Sequence, residues 1–324
     1  MTTTNETPPR PPQPWERDLL EKVLLESLNE QRRARRWNVF FKVSLLVYLG
    51  LAFWLASAPF SEIPLSAGKG KHTAVVDISG VIMDSADTNA ETVIDGLKDA
   101  IKDKNTQGVV LRMNSPGGSP VQSAYIYDAI RRIKAEHPDL PLYAVVEDMC
   151  ASGCYYIAAA ADKIFVNPSS IVGSIGVIMN GFGFVDTLDK LGVERRVLTA
   201  GAHKAILDPF SPVKPEERQH IQALIDTVHR QFIDAVKQGR GDRLKAEEHP
   251  ELFSGLVWTG NQGIELGLVD AVGSARDVAK DAIGAEKLVN FTPHENLLDR
   301  LTSKMGSAAG RTLHEELAAK LRLE

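Results

Sequence analysis

Apolar and polar positions along this chain follow two alternating periods from residue 73 onward. "TAVVDISGVIM" reads as a strand, and "AETVIDGLKDAIKD" as a helix with Val93, Ile94, Leu97 and Ile101 on one face. "QGVVLRMNSPGG" is a second strand, ending in a Pro-Gly-Gly turn. The next segment, "SPVQSAYIYDAIRRIKAE", is a helix with Ser119 as N-cap and Pro120 at its first position. "LPLYAVVEDMCAS" and "GCYYIAAAAD" repeat the strand–helix order. "KIFVNPSSIVGSIGVIM" reads as strand, Gly/Ser-rich loop and strand, and "ERRVLTA" as a further strand. "PEERQHIQALIDTVHRQFIDAVKQGR" predicts a long amphipathic helix ending at Gly239, with Ile221, Leu224, Ile225, Val228, Phe232 and Val236 as its apolar stripe. Alternation of this kind predicts an α/β fold with parallel strands and helical crossovers.

The N-terminal part follows another pattern. "TTTNETPPRPPQP" is Pro-rich and polar, and Leu19, Leu20, Val23, Leu24 and Leu28 then fall at helical spacing. Residues 38–58, "NVFFKVSLLVYLGLAFWLASA", are almost continuously apolar and long enough to cross a bilayer. The single charge, Lys42, lies near one end, and Trp37, Tyr48 and Trp54 suit interfacial positions. "ASA" at 56–58 resembles a leader cleavage site, but Pro59 follows it at once, so an uncleaved anchor is expected. Arg32, Arg33, Arg35 and Arg36 precede the span, which predicts a cytoplasmic N-terminus and an exported remainder.

Composition narrows the class. The chain has 324 residues, 44% hydrophobic and 24% charged, with a net charge of −5, which argues against nucleic-acid binding. Its two cysteines, Cys150 and Cys154, are too few for a zinc site. Read as neighbours on one helical turn they are poorly placed for a disulfide and are expected to pack as small apolar residues. Cys154 as a nucleophile is the sharper alternative.

In parallel α/β folds ligands sit at the carboxyl ends of strands. Three loops here meet that condition: 114–118, 149–153 and 168–176. The second holds Ser152 between strand and helix, where it could cap the helix or serve as a nucleophile. A nucleophilic serine needs a base. Most histidines fall in turns or on the long helix, leaving His203 and Lys204 side by side in "GAHKAILDPF". A lysine acts as a base only where its pKa is well below the ordinary value, which an apolar setting favours. Ala202, Ala205, Ile206 and Leu207 suggest such a setting.

The segments "NSPGG", "ASGCYYIAAAAD", "VGSIGVIM", "GAHKAILDPF" and "WTGNQGIELGLVD", in this order, closely resemble the signal peptide peptidase A type of membrane-anchored serine peptidase. The resemblance covers residues 73–290 and the anchor. It implies a Clp-protease/crotonase-like fold of stacked ββα units preceded by one transmembrane helix. The implied layout is a cytoplasmic segment 1–36, a span 37–59, a linker 60–72, a peptidase domain 73–290 and a helical tail 291–324. Motif by motif, the resemblance puts the nucleophile at Ser152, the base at Lys204 and a lysine-orienting serine at Ser174. It puts the oxyanion hole at Gly117, Gly118 and Gly153, with no metal and no cofactor. It also implies cleaved signal peptides or other membrane-associated peptides as substrates, location in a bacterial inner membrane with the peptidase domain outside the cytoplasm, and a ring of copies sharing sites between neighbours. Cys154 stands where glycine or alanine is common, and His203 where an aromatic is usual, which keeps His203 as a rival base. A crotonase-type acyl-CoA enzyme and a non-enzymatic membrane scaffold are the alternatives. A Ser-His-Asp peptidase is disfavoured, because no histidine lies between residues 138 and 202.

Overall fold

A computed structural model describes residues 22, 30–33, 35–50 and 70–293. Residues 35–50 form a helix, α1, whose apolar side chains Phe40, Phe41, Leu46, Val47 and Tyr48 are all exposed. Positions 51–59 of the expected span, the linker as far as residue 69, the helix around Leu19–Leu28 and the tail from 294 lie outside the described residues. Among the described residues no helix is long and apolar enough to cross a membrane.

The α/β unit lies within Ser66–Glu295. Its spine is three long parallel strands, β1 (His72–Ile82), β2 (Thr106–Gly118) and β3 (Leu142–Ala151). β8 (Leu288–Asn290) extends the sheet beyond β1. On the other side β3 divides its pairing. Its first half meets β4 (Lys163–Val166), which meets β7 (Ala271–Val272), whereas its last residues meet β5 (Ile171–Gly173). β6 (Val257–Thr259) closes that edge antiparallel to β5.

Pleat alternation divides the core. Ala74, Val76 and Ile78, Val109, Leu111 and Met113, and Leu142, Ala144 and Val146 join one large buried cluster, which also takes in side chains of the helices. These are α2 (Ala90–Lys102), α3 (Pro120–Glu136), α4 (Gly153–Ala158) and α6 (Pro215–Arg240). The opposite face carries a small cluster of Val110, Val145 and Val278. Val278 opens a π-helical stretch to Ile283 after the short α8 (Ala275–Asp277). Caps follow chemistry: the Asn89 side chain accepts from Thr92 N at 2.9 Å, and that of Ser119 from Gln122 N at 3.4 Å.

Three expectations are corrected. Residues 176–179 and 194–200 are not strands, because among the described residues neither finds a strand to pair with; Ile178 is 84% and Leu198 100% exposed. Between them lies α5 (Val185–Leu191), with no buried residue. Finally, α6 ends at Gly241 rather than Gly239. Gly239 is a contact glycine, since a Cβ there would lie 1.9 Å from the Ala159 carbonyl oxygen.

One buried ion pair ties α6 to the sheet. Arg240, 1% exposed, donates to both Asp270 oxygens at 2.7 and 3.0 Å and to Gly267 O at 3.0 Å. Asp270 also accepts from the Ile164 amide of β4 at 2.7 Å. Burial works against the Asp270 charge, but hydrogen bonds and attraction from Arg240 outweigh it and hold its pKa below the ordinary carboxylate value. The pair therefore stabilises the fold above the ordinary carboxylate pKa and is lost as pH falls through the lowered one. Asp270→Asn is expected to cost about 3 kcal/mol in urea unfolding at pH 7, since it strands a buried guanidinium. The gap to wild type should narrow in acid; an unchanged gap at low pH would assign the effect to packing.

Candidate active site

The carboxyl ends of β2, β3 and β5 converge. Ser115 pairs with Cys150, and Ala151 with Gly173. At the junction of β3 and α4, Ser152 takes φ 53° and ψ −122°, a left-handed-side backbone that only a constrained L-residue holds. Its amide donates to Gly173 O at 2.9 Å. Ser152 occupies the N-cap position of α4, yet its hydroxyl makes no capping hydrogen bond. The capping reading is thereby set aside: Ser152 lines a cavity instead.

Close approach explains the glycines. A Cβ on Gly117 would lie 2.7 Å from both Ala151 O and Gly153 N, and one on Gly118 would lie 2.0 Å from Ile82 O. Both adopt positive φ, 96° and 156°. The Gly117 amide donates to the buried Ser115 Oγ at 3.1 Å. Gly118 and Gly153, unlike Gly117, line the cavity that contains Ser152.

That cavity has a volume of about 530 Å³. Ser152, Gly153, Gly118 and Ser174 form its polar end, and Val121, Ala124, Tyr125 and Asp128 of α3 form one wall. Tyr156 of α4 and Val228, Gln231 and Phe232 of α6 form another. Ser174, like Ser152, is a non-glycine residue at φ 53°. Another cavity of about 530 Å³ collects Glu147, Asp148 and Asp277 but none of these groups. Among the described residues no group of His, Cys, Asp and Glu is arranged to hold a metal ion.

Lys204 is placed elsewhere. It lies in an exposed turn, 201–207, outside the Ser152 cavity, and among the described residues nothing supplies the dry setting that its apolar neighbours suggested. The adjacent His203 meets Glu217 in the first turn of α6, Nδ1 to Oε1 3.5 Å. Further along α6, His229 Nε2 lies 3.1 Å from Ile175 O, next to Ser174. These two anchors on α6 are twelve residues apart, about 18 Å of helix. The lysine turn and the Ser174 loop thus meet one strut, α6, about 18 Å apart along it. His229 was not singled out by sequence reasoning, which left it among the histidines of the long helix; its place beside Val228 of the apolar stripe was the available signal.

Cys150 and Cys154 require a second correction. They form a disulfide, with Cα atoms 5.1 Å apart. Only Cys154 belongs to the helix; Cys150 is the last but one residue of β3, and the turn at Ser152 folds one back over the other, which a continuous helix would not do. Both are fully buried, so neither is a free nucleophile.

An α/β unit with a strained serine between strand and helix, backed by small residues at three strand ends, is the arrangement of a serine hydrolase elbow. Comparison with known proteins specifies it. The description "Peptidase family S49" matches residues 134–289. The chain is 35% identical over 240 residues to a putative signal peptide peptidase SppA of Enterococcus faecium, covering 71% of this chain and 68% of that one. It is 33% identical over 238 residues to a putative protease of Synechocystis, covering 74% and 82%. The chain belongs to peptidase family S49. It is also 45% identical over 226 residues to a protein of Brucella abortus named Na(+)/H(+) antiporter NhaA, covering 69% of this chain. It spans only 30% of that relative's length.

Cross-linking Cys150 to Cys154 closes a five-residue loop around Ser152. A loop this short contributes about 2 kcal/mol on the chain-entropy account. Cys154→Ala is expected to lower unfolding stability by about that amount under non-reducing conditions. Dithiothreitol present throughout unfolding and refolding should abolish the difference; a difference that survives it would trace to packing alone.

Proposed function

We propose that this chain is a membrane-anchored serine endopeptidase using Ser152 as nucleophile and Lys204 of a neighbouring copy as base. The observation that carries the reading is Ser152 itself, uncapped and held at φ 53° in a cavity shared with Gly118, Gly153 and Ser174. Ser152 Oγ attacks the scissile carbonyl while the lysine amine takes its proton, as in Ser–Lys variants of the triad. Ser174 orients that amine. The amides of Gly118 and Gly153 receive the oxyanion; Gly117, whose amide is already engaged by Ser115, shapes the turn. The lysine then returns the proton to the leaving amine, and water hydrolyses the acyl-enzyme.

Supply of Lys204 by a neighbour is supported by its exposure and by the 18 Å strut, which keeps the two loops of one chain apart. An exposed apolar stretch including Ile178, Phe182, Leu191 and Leu198 offers the contact surface, and a ring of copies satisfies both. The Clp-protease/crotonase-like stacking of units belongs to the same reading, as does anchoring through residues 37–59. For the anchor, the support is the exposed apolar side of α1 after an arginine cluster. A mainly apolar cavity fits uncharged side chains, and cleaved signal peptides are the proposed substrates. The antiporter name is not carried over, because the chain spans so little of that relative.

Ser152→Ala and Lys204→Ala are each expected to abolish peptide hydrolysis and leave the fold intact, whereas His203→Phe keeps most activity. Co-assembled Ser152→Ala and Lys204→Ala chains should regain part of it, because some junctions carry both intact residues. If the mixture stays dead while each variant still assembles, the shared-site proposal fails. Full activity of Lys204→Ala would remove the dyad, and no labelling of Ser152 by a fluorophosphonate would favour a scaffold.

A further inference from the structure

We infer that His229 is a positioning residue for the active site: it holds the Ser174 loop in register with the helix that follows Ser152. The inference rests on the peptidase reading above and adds to it a residue that no motif marks.

The contact runs from His229 Nε2 to Ile175 O at 3.1 Å. A carbonyl oxygen only accepts, so Nε2 carries the proton. That proton is present in the neutral Nε2–H tautomer and in the imidazolium alike, so the bond survives a change of charge. It also commits Nε2 to donation, the role a clamp requires.

What it clamps is a loop of costly backbone, whose Ile175 side chain is itself buried in the core. Ser174 is a non-glycine residue at φ 53°, preceded by Gly173 at φ 96°. Such backbone is costly and persists only where surrounding contacts over-determine it. Main-chain bonds tie it: Ser152 N to Gly173 O at 2.9 Å, Ser174 N to Leu256 O at 2.7 Å and Gly176 N to Ser174 O at 2.9 Å. His229 adds a side-chain tie reaching in from α6.

The same face of α6 grips the other half of the site. Phe232, three residues on, is 4% exposed and stacks on Tyr156 with ring centroids 5.0 Å apart. Tyr156 belongs to α4, whose first residue follows Ser152. One helix face therefore holds Ser174 through His229 and the Ser152 helix through Phe232. Val228 and Gln231, adjacent on α6, line the cavity between them. Loss of the His229 bond frees one half relative to the other, and misplacement of reacting groups by about 1 Å costs on the order of a hundredfold in rate.

The test uses the assembled wild-type enzyme with His229→Leu, His229→Gln, Ser174→Ala and the Ser174→Ala/His229→Leu double variant. Readouts are kcat and KM on a peptide substrate and the rate of Ser152 labelling by a fluorophosphonate. His229→Leu is expected to lower kcat and labelling roughly tenfold or more, with KM within about twofold and Tm little changed. His229→Gln, whose amide nitrogen reaches a similar point, should recover most of the loss. The double variant should be no worse than Ser174→Ala alone, because both changes act through one loop. Should His229→Leu not fold, His229→Ala carries the same comparison. Wild-type kcat in the variant lacking the donor, losses that simply multiply, or no recovery with Gln would each overturn the clamp while leaving the peptidase reading standing. A wild type that neither labels nor hydrolyses peptides overturns that reading and this inference with it.

Discussion

Three strand ends meet at Ser152 with no room for a side chain between them. This exclusion is the constraint on which the site depends. A Cβ on Gly153 would stand 2.5 Å from Ser123 Oγ, and those on Gly117 and Gly118 would run into neighbouring backbone. The bare Gly117 lets β2 approach the turn between β3 and α4, Gly118 lets β2 approach Ile82 of β1, and Gly153 seats α4 against Ser123 of α3. The cost is an unfavourable φ at Ser152 and Ser174, and tertiary contacts offset it. Ser152 N is tied to β5, Ser174 N to the chain entering β6, and the Cys150–Cys154 bond closes the turn from beneath.

α6 is the second organising element. Its C-terminal half is buried against α4 and fixed by Arg240 to the Asp270 carboxylate, while its N-terminal half projects and is largely exposed. A helix rooted this way transmits position over its whole length, since its rise per residue is fixed by its own hydrogen bonds. The root, the His229 clamp and the Glu217 contact to His203 lie in order along it. Separation of the lysine turn from the serine loop follows from that rigidity. In the proposed assembly the same rigidity would carry the lysine turn of one copy toward the serine of the next.

Much of the α/β frame was legible in the sequence because it rests on local rules. Period-2 runs over 73–83, 107–118 and 140–152 become β1, β2 and β3, because each has an apolar face that must be covered. Ser119–Pro120 opens α3, as capping chemistry requires. Segments 114–118 and 149–153 finish parallel strands, so their convergence could be anticipated from the sequence, whereas 168–176, read as a loop, contains β5. Family membership was legible as well, from five segments in a fixed order.

What only the tertiary structure decided concerns pairing and distance. "IGVIM" and "ERRVLTA" have strand-forming composition, but a strand exists only where another strand satisfies its backbone, and neither has one. The cysteine spacing reads as i, i+4 on a helix, yet the chain turns between them, and the turn makes the bond. Apolar neighbours around Lys204 suggested burial, but burial depends on what packs against a loop, and among the described residues nothing covers it. His229 acquires its contact through Ile175, 54 residues away, a separation that no local pattern encodes. Periodicity, caps and turns were set by neighbours along the chain; strand partners, the disulfide, the exposure of Lys204 and the reach of His229 were set by groups distant in sequence, whose meeting only the folded chain determines.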